Sequence, residues 1–194
     1  MTDRRSIANA AGRIRKEIGR LDVLINNAAI SNTTIQAHQT VEQYVQLNRA
    51  SNASLDEVRA IWETNVFGAL AVYQAMLPLL REAKQARIVN VSSGVGSLTA
   101  ASDPNNPHRG IFGPGYSASK TAMNAMTVAM AIELESTTIK VNACSPGFTK
   151  TNLNNFQGTD TLEEGAREAV RLALLGSDGP TGTFTHATLG RIPW

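Results

Sequence analysis

The sequence predicts an α/β fold, a parallel sheet flanked by helices. Helix-period segments and short apolar runs alternate along the chain. One such run, Val23-Leu24-Ile25, is continuous rather than alternating, as in a strand covered on both faces. The chain has 194 residues, 42% of them hydrophobic and 18% charged, enough for one domain with a sizeable core and too apolar for charge-driven disorder.

Ile7, Ala11, Ile14 and Ile18 recur at helical spacing, so a helix is expected from about Thr2 to Ile18, stopped by Gly19. Val23-Leu24-Ile25 is a short buried strand ending in Asn26-Asn27-Ala28-Ala29. Residues 31–53 are polar and read as a connection with a short helix. Ser54 and Glu57 have the spacing of a capping box. A long helix follows, from about Leu55 to Ala83, with Gly68 and Pro78 as its weak points. Arg87 to Ser93 is the next strand, and residues 94–115 form a Gly/Ser/Pro/Asn-rich loop. Tyr116 to Glu135 reads as a buried helix whose Met123, Met126 and Met130 fill core. Ile139 to Cys144 is a strand closed by Ser145-Pro146-Gly147. A helix from about Leu162 to Leu175 and a strand over residues 183–187 complete the pattern.

Composition narrows the function. A net charge of +2, scattered along the chain, does not argue for nucleic acid or an anionic membrane. Cys144, the single cysteine, excludes an internal disulfide and reads as a small buried apolar residue in a reduced compartment. His38, His108 and His186 are far apart and lack ligand spacing, so no metal is expected. The polar N-terminus shows no targeting signal, and no apolar run reaches a bilayer span. The expectation is a cytoplasmic protein, in which the sequons at Asn32, Asn52 and Asn90 are chance matches.

The chemistry centres on Tyr116-Ser117-Ala118-Ser119-Lys120. If Tyr116 opens a helix, Lys120 lies one turn on and on the same face. A phenol titrates near pH 10, and a fixed ammonium beside it is expected to lower that value toward neutrality. Such a pair could exchange a proton with a substrate oxygen. Ser93, Pro146-Gly147 and Asn26-Asn27-Ala28 each stand where a strand runs out. In open α/β sheets that edge binds ligands.

Five segments in order carry a resemblance to the short-chain dehydrogenase/reductase family: Asn26-Asn27-Ala28-Ala29, Asn65-Val66-Phe67-Gly68, Val89 to Ser93, Tyr116 to Lys120 and Val141 to Gly147. The tail, from Leu172 to Trp194, resembles the carbonyl-reductase-like branch. The resemblance implies a Rossmann-like doubly wound parallel sheet and hydride transfer between NADP or NAD and a small carbonyl or alcohol, the branch favouring NADP. It implies Tyr116 as proton donor or acceptor and Lys120 as holder of the nicotinamide ribose. Ser93 would bond the substrate oxygen, and Asn65 would hold a water linked to Lys120. Asn26, Asn27 and Ala28 would pass the adenosine side of the cofactor. Pro146, Gly147, Phe148, Thr149 and Thr151 would lie against the nicotinamide. Each has a plainer reading: Ser93 a turn former, Asn65 a helix kink bonded to backbone, the asparagines ties between strand ends. The related sugar-nucleotide epimerases share the Tyr and Lys, but residues after Gly147 leave no room for a substrate domain.

The resemblance also implies a strand, a Gly-rich turn and a helix ahead of the Asn-Asn-Ala segment, which here stands at residue 26. Residues 1–194 are therefore expected to be a single partial domain, N-terminally truncated: either the second half of a longer reductase or a chain completed by a partner. In the alternative reading it is a non-catalytic fragment, unable to hold the cofactor alone. Gly94-Val95-Gly96 and Gly113-Pro114-Gly115 mimic a phosphate-binding turn without its strand-turn-helix context. The Val23 strand is expected to be an apolar edge inviting self-association. The 22-residue loop from Gly94 to Gly115 is long for the family and leaves the oligomeric state open.

Overall fold

The computed structural model describes residues 1–33 and 40–194. His38 and part of the 31–53 connection lie outside them. Helix α1 (Arg4–Glu17) is capped by Asp3, whose side chain accepts from Arg5 N, and it ends at Gly19 in the left-handed region. Strand β1 (Val23–Asn26) follows. Helix α2 (Val41–Leu47) and helix α3 (Leu55–Trp62) precede a π-helical segment at Glu63–Gly68, which runs on into α4 (Ala69–Leu80). Then come β2 (Arg87–Val91), α5 (Leu98–Ser102), α6 (Tyr116–Glu133), β3 (Lys140–Ser145), α7 (Leu162–Ala173), β4 (Thr183–His186) and β5 (Gly190–Arg191).

The sheet order is β1-β2-β3-β4-β5, with the first four strands parallel and β5 antiparallel to β4. Asn26 pairs with Asn90 in register, and Asn90 with Ala143. Strand side chains alternate between faces. Ile88 and Val141 point into a core filled by Tyr73, Met76, Leu79 and Leu80 of α4, by Met130 of α6, and by Ala11 and Ile14 of α1. Val89, Val91 and Cys144 point the other way, onto Leu172, Ala169 and Ala173 of α7. With helices on both faces, this is the Rossmann-like, doubly wound α/β arrangement that the sequence predicts.

Differences from the expected elements have local causes. β1 is only partly buried: Ile25 is 41% exposed, and among the described residues the strand pairs only with β2. The long helix does not end at Pro78, which sits inside α4; its irregularity is the π-helical turn closing at Gly68. The expected capping box at Ser54 is half-formed. Ser54 accepts from Glu57 N at 3.4 Å, but the Glu57 carboxylate turns to Thr33 N and Oγ1. A complete box instead starts α2, where Thr40 and Gln43 satisfy each other's backbone donors. Of the three methionines, Met123 and Met130 are buried and Met126 packs against the same core, as expected. At the far end Phe184 stacks on Trp194 with centroids 5.6 Å apart, a pairing worth about 0.5–1.5 kcal/mol beyond burial.

Candidate active site

Because β1 to β4 run parallel, their carboxyl ends leave the sheet along one edge. The chain exits as Asn26-Asn27, Ser92-Ser93, Ser145-Pro146-Gly147 and His186. Hydrogen bonds tie these exits together. Gly94 N donates to Ser145 Oγ at 3.0 Å, and Ser31 Oγ donates to Leu153 O at 2.7 Å. The predicted convergence of strand ends is therefore present.

Tyr116 is the first residue of α6, and Lys120 follows one turn later. Lys120 is 2% exposed, with its Nζ 5.6 Å from the centre of the Tyr116 ring and 2.8 Å from Val91 O, to which it donates. Burial pulls its pKa down to about 8. A close backbone approach fixes the lysine: a methyl on Gly96 would lie 2.8 Å from Lys120 C and Cβ. Ser92 Oγ donates to Lys120 O at 3.2 Å.

The Tyr116 side chain is half-buried, its oxygen hydrogen-bonded by Ser93. Its pKa is pushed up to about 12. Burial is the largest cause, the Ser93 hydroxyl opposes it, and a charge on Tyr44 would add to the rise. This corrects the expectation that Lys120 lowers the phenol. The lysine faces the Val91 carbonyl, and the lowering influence is Ser93. The phenol is thus a neutral donor at neutral pH.

Asn65 lies in the π-helical turn, fully buried. Its Oδ1 accepts from Ile30 N, and its Nδ2 donates to Ile30 O and to Ser119 Oγ, all within 2.9–3.0 Å. Ser119 Oγ in turn donates to Tyr116 O at 2.6 Å. The side chain therefore matches the plainer reading, a helix irregularity bonded to backbone, and it couples the exit of β1 to the start of α6. The asparagines at β1 divide. Asn26 is buried and donates to Asn90 Oδ1 at 2.8 Å, a tie between strands, while Asn27 and Ala28 are exposed at the edge.

Gly147 adopts φ +80, and a methyl there would lie 2.3 Å from Asp160 Oδ2 and 3.1 Å from His186 Nε2. Asp160 Oδ2 also accepts from Phe148 N at 2.9 Å, so the segment after β3 is closed on itself. Phe148 is exposed, and Thr149 Oγ1 donates to Pro146 O at 3.1 Å. Thr151 caps a short 3-10 turn at Asn152–Asn154. The two glycine pairs that mimic a phosphate turn are explained within the chain. Gly96 backs onto Lys120, and Gly113 and Gly115 back onto Asn48. Cys144 is buried, as expected, and burial pushes its thiol up to about 12. Among the described residues no group of three His, Cys, Asp or Glu could hold a metal ion, and no helix is long and apolar enough to cross a membrane.

Tyr44 is the neighbour that sequence reading missed. Half-buried on α2, it is pushed up to about 12 by burial and by the nearby charge of Glu57. The Thr40-to-Gln43 capping box was the one signal that pointed to its helix.

A parallel sheet with helices on both faces, and a Tyr–Lys helix and a serine at its carboxyl edge, defines a Rossmann-like α/β protein. The sequence model of the short chain dehydrogenases matches residues 1–161, and the chain belongs to that family. It is 40% identical over 179 residues to short-chain dehydrogenase anuI of Penicillium roqueforti, covering 89% of this chain and 64% of that protein. It is 28% identical over 228 aligned residues to salutaridine reductase of Papaver bracteatum, covering 92% of this chain and 73% of that one. The chain thus spans about two thirds to three quarters of these relatives. The solved salutaridine reductase of Papaver somniferum superposes with a TM-score of 0.74 at 26% identity, over 96% of this chain and 79% of that one. NADPH-bound carbonyl reductase from chicken fatty liver shares the fold, with a TM-score of 0.78 at 24% identity, over 100% of this chain and 74% of that one.

Proposed function

We propose that the chain belongs to an oxidoreductase that interconverts a carbonyl compound and its alcohol, with NADP preferred over NAD. The observation carrying this reading is the Ser93–Tyr116 hydroxyl pair beside the buried cation of Lys120, at the edge where strands of a doubly wound sheet end. A nicotinamide cofactor would supply the hydride.

The donor set fits such a cofactor. An ammonium has three N–H donors, and among the described residues Lys120 gives one to Val91 O. Lys120 and Tyr116 would hold the ribose. Pro146, Gly147, Phe148, Thr149 and Thr151 would flank the nicotinamide, and Asn27 and Ala28, with Asn26 behind them, would line the adenosine side. Ser93 donates to the substrate oxygen and orients it. Tyr116, neutral at working pH, gives its proton to that oxygen in reduction and takes it back in oxidation. Asn65 holds the Ile30 segment and the start of α6 in place, so that the proton path past Lys120 keeps its geometry.

Tyr116→Phe tests this. Turnover of a ketone with NADPH should fall by at least about 100-fold, the usual contribution of a positioned acid, while NADPH binding, followed by fluorescence on titration, weakens by no more than the loss of one hydroxyl contact to the ribose. Retained turnover would remove Tyr116 as the acid. In a second reading residues 1–194, which span 64–73% of the relatives they match, do not hold the cofactor by themselves. That reading predicts no NADPH binding at high micromolar concentration. Under the first reading the reaction runs in the cytoplasm, and the edge of β1 supports self-association.

A further inference from the structure

Trp194 has no part in the chemistry above, yet its backbone holds the turn that leaves Ser93. Trp194 O accepts from Thr99 N at 3.0 Å, from Thr99 Oγ1 at 2.7 Å and from Ser97 Oγ at 3.4 Å. The indole stacks on Phe184 of β4, a fully buried ring, with planes 18° from parallel. Trp194 also lines a cleft with Gly96, Thr121, Asn124 and Val128. It thus joins β4 to the 94–99 turn and to α6.

That turn is the seat of the lysine. It starts at Ser93, whose O accepts from Gly96 N at 2.9 Å. Gly96 O accepts from Thr121 Oγ1 at 2.9 Å and from Asn124 Nδ2 at 3.2 Å, both on α6. These bonds draw the Gly96 backbone so close to Lys120 that an added methyl would lie 2.8 Å from its C and Cβ.

We propose that Trp194 is a positioning residue: it braces the turn after Ser93 against α6 and so keeps the Lys120 ammonium out of water beside Tyr116. The ring is the anchor, on Phe184, and the carbonyl collects the donors of Ser97 and Thr99. Without the ring the carbonyl is no longer fixed, the turn loosens, and water reaches Lys120. A small displacement of a positioned group costs rate out of proportion to the distance moved. The effect on turnover rests on the oxidoreductase reading above, but the seating of Lys120 does not.

The test reads the lysine itself, without cofactor or substrate. In the whole chain with isotope-labelled lysine, the Cε resonance missing from Lys120→Met belongs to Lys120. In wild type it should titrate at about pH 8, where burial places it. Trp194→Ala should raise that midpoint by at least about 0.5 and speed exchange of Gly96 N by about 3-fold or more. Trp194→Phe, which keeps a ring for Phe184 and the same carbonyl, should match wild type in both. If Trp194→Ala is unfolded by circular dichroism, Thr99→Val replaces it; with one donor to Trp194 O removed, both readouts should move in the same direction. The proposal is overturned if wild-type Lys120 titrates at the ordinary lysine value, or if Trp194→Phe moves the readouts as far as Trp194→Ala. A folded Trp194→Ala with a lower melting temperature but an unmoved midpoint would make the residue structural only, and overturns it too. A wild type that binds no NADPH would fail the reaction reading and leave this result intact.

Discussion

Lys120 Nζ lies 5.6 Å from the centre of the Tyr116 ring, yet its hydrogen bond goes to Val91 O at the end of β2. The lysine is held by the sheet, not by the phenol. Burial has brought its pKa down to about 8.

That value sets a stability profile. Between about pH 8 and the ordinary lysine value the unfolded chain binds the extra proton, so stability rises with pH there. From the ordinary cysteine value upward Cys144 acts in the opposite sense, since its folded pKa is raised to about 12. Above pH 10, Tyr44 and Tyr116, both raised to about 12, add to that loss. Urea unfolding should show a shallow maximum near pH 9, with a gain from pH 8 of under about 1 kcal/mol. Lys120→Met should abolish the rise, and a rise that survives would assign it to another group.

Gly96→Ala should disturb the lysine at its root. The new methyl would press on Lys120 C and Cβ at 2.8 Å, and neither the α6 backbone nor the Cβ fixed to it can easily give. A loss of about 1–3 kcal/mol is expected in urea, together with weaker NADPH binding. Unchanged melting would mean that the 94–96 turn moves freely.

Asn65→Ala removes three hydrogen bonds and leaves Ile30 N and O without their partner. Stability should fall by about 2–4 kcal/mol. Hydrogen exchange should show faster opening of residues 28–33, and a uniform rise in exchange across the chain would contradict the local tie.

The β1 edge predicts association. Ile25 is exposed on a strand that, among the described residues, pairs only with β2, a template for another chain. Ile25→Lys should lower the sedimentation-derived mass of the purified protein at high concentration. Equal masses for both forms would place any contact elsewhere.

The sheet was legible because β2 and β3 are short, largely apolar segments separated by helix-length stretches. β5 was not, since Gly190–Arg191 is two residues long and has no pattern to read. The π-helical turn was hidden for another reason: Glu63-Thr64-Asn65-Val66-Phe67-Gly68 reads as ordinary helix, and the extra residue shows only in its phase. In the site, spacing alone brought Tyr116 and Lys120 together. The direction of the phenol's shift was not legible, because its largest cause is burial of the Tyr116 side chain, which comes only with the folded packing. Tyr44 escaped notice because its segment is polar and far from Tyr116 in the chain.

The π-helical turn gives one continuous rod two angular settings. α3 lies against α6, while α4 lies against α1 and β1. A regular helix would carry a single stripe straight through and could satisfy one of these neighbours only. Deleting one residue between Glu63 and Gly68 would swing one half of the rod by about 100° relative to the other. Either the Asn65 amide would leave Ile30, or the Tyr73–Leu80 stripe would leave the sheet.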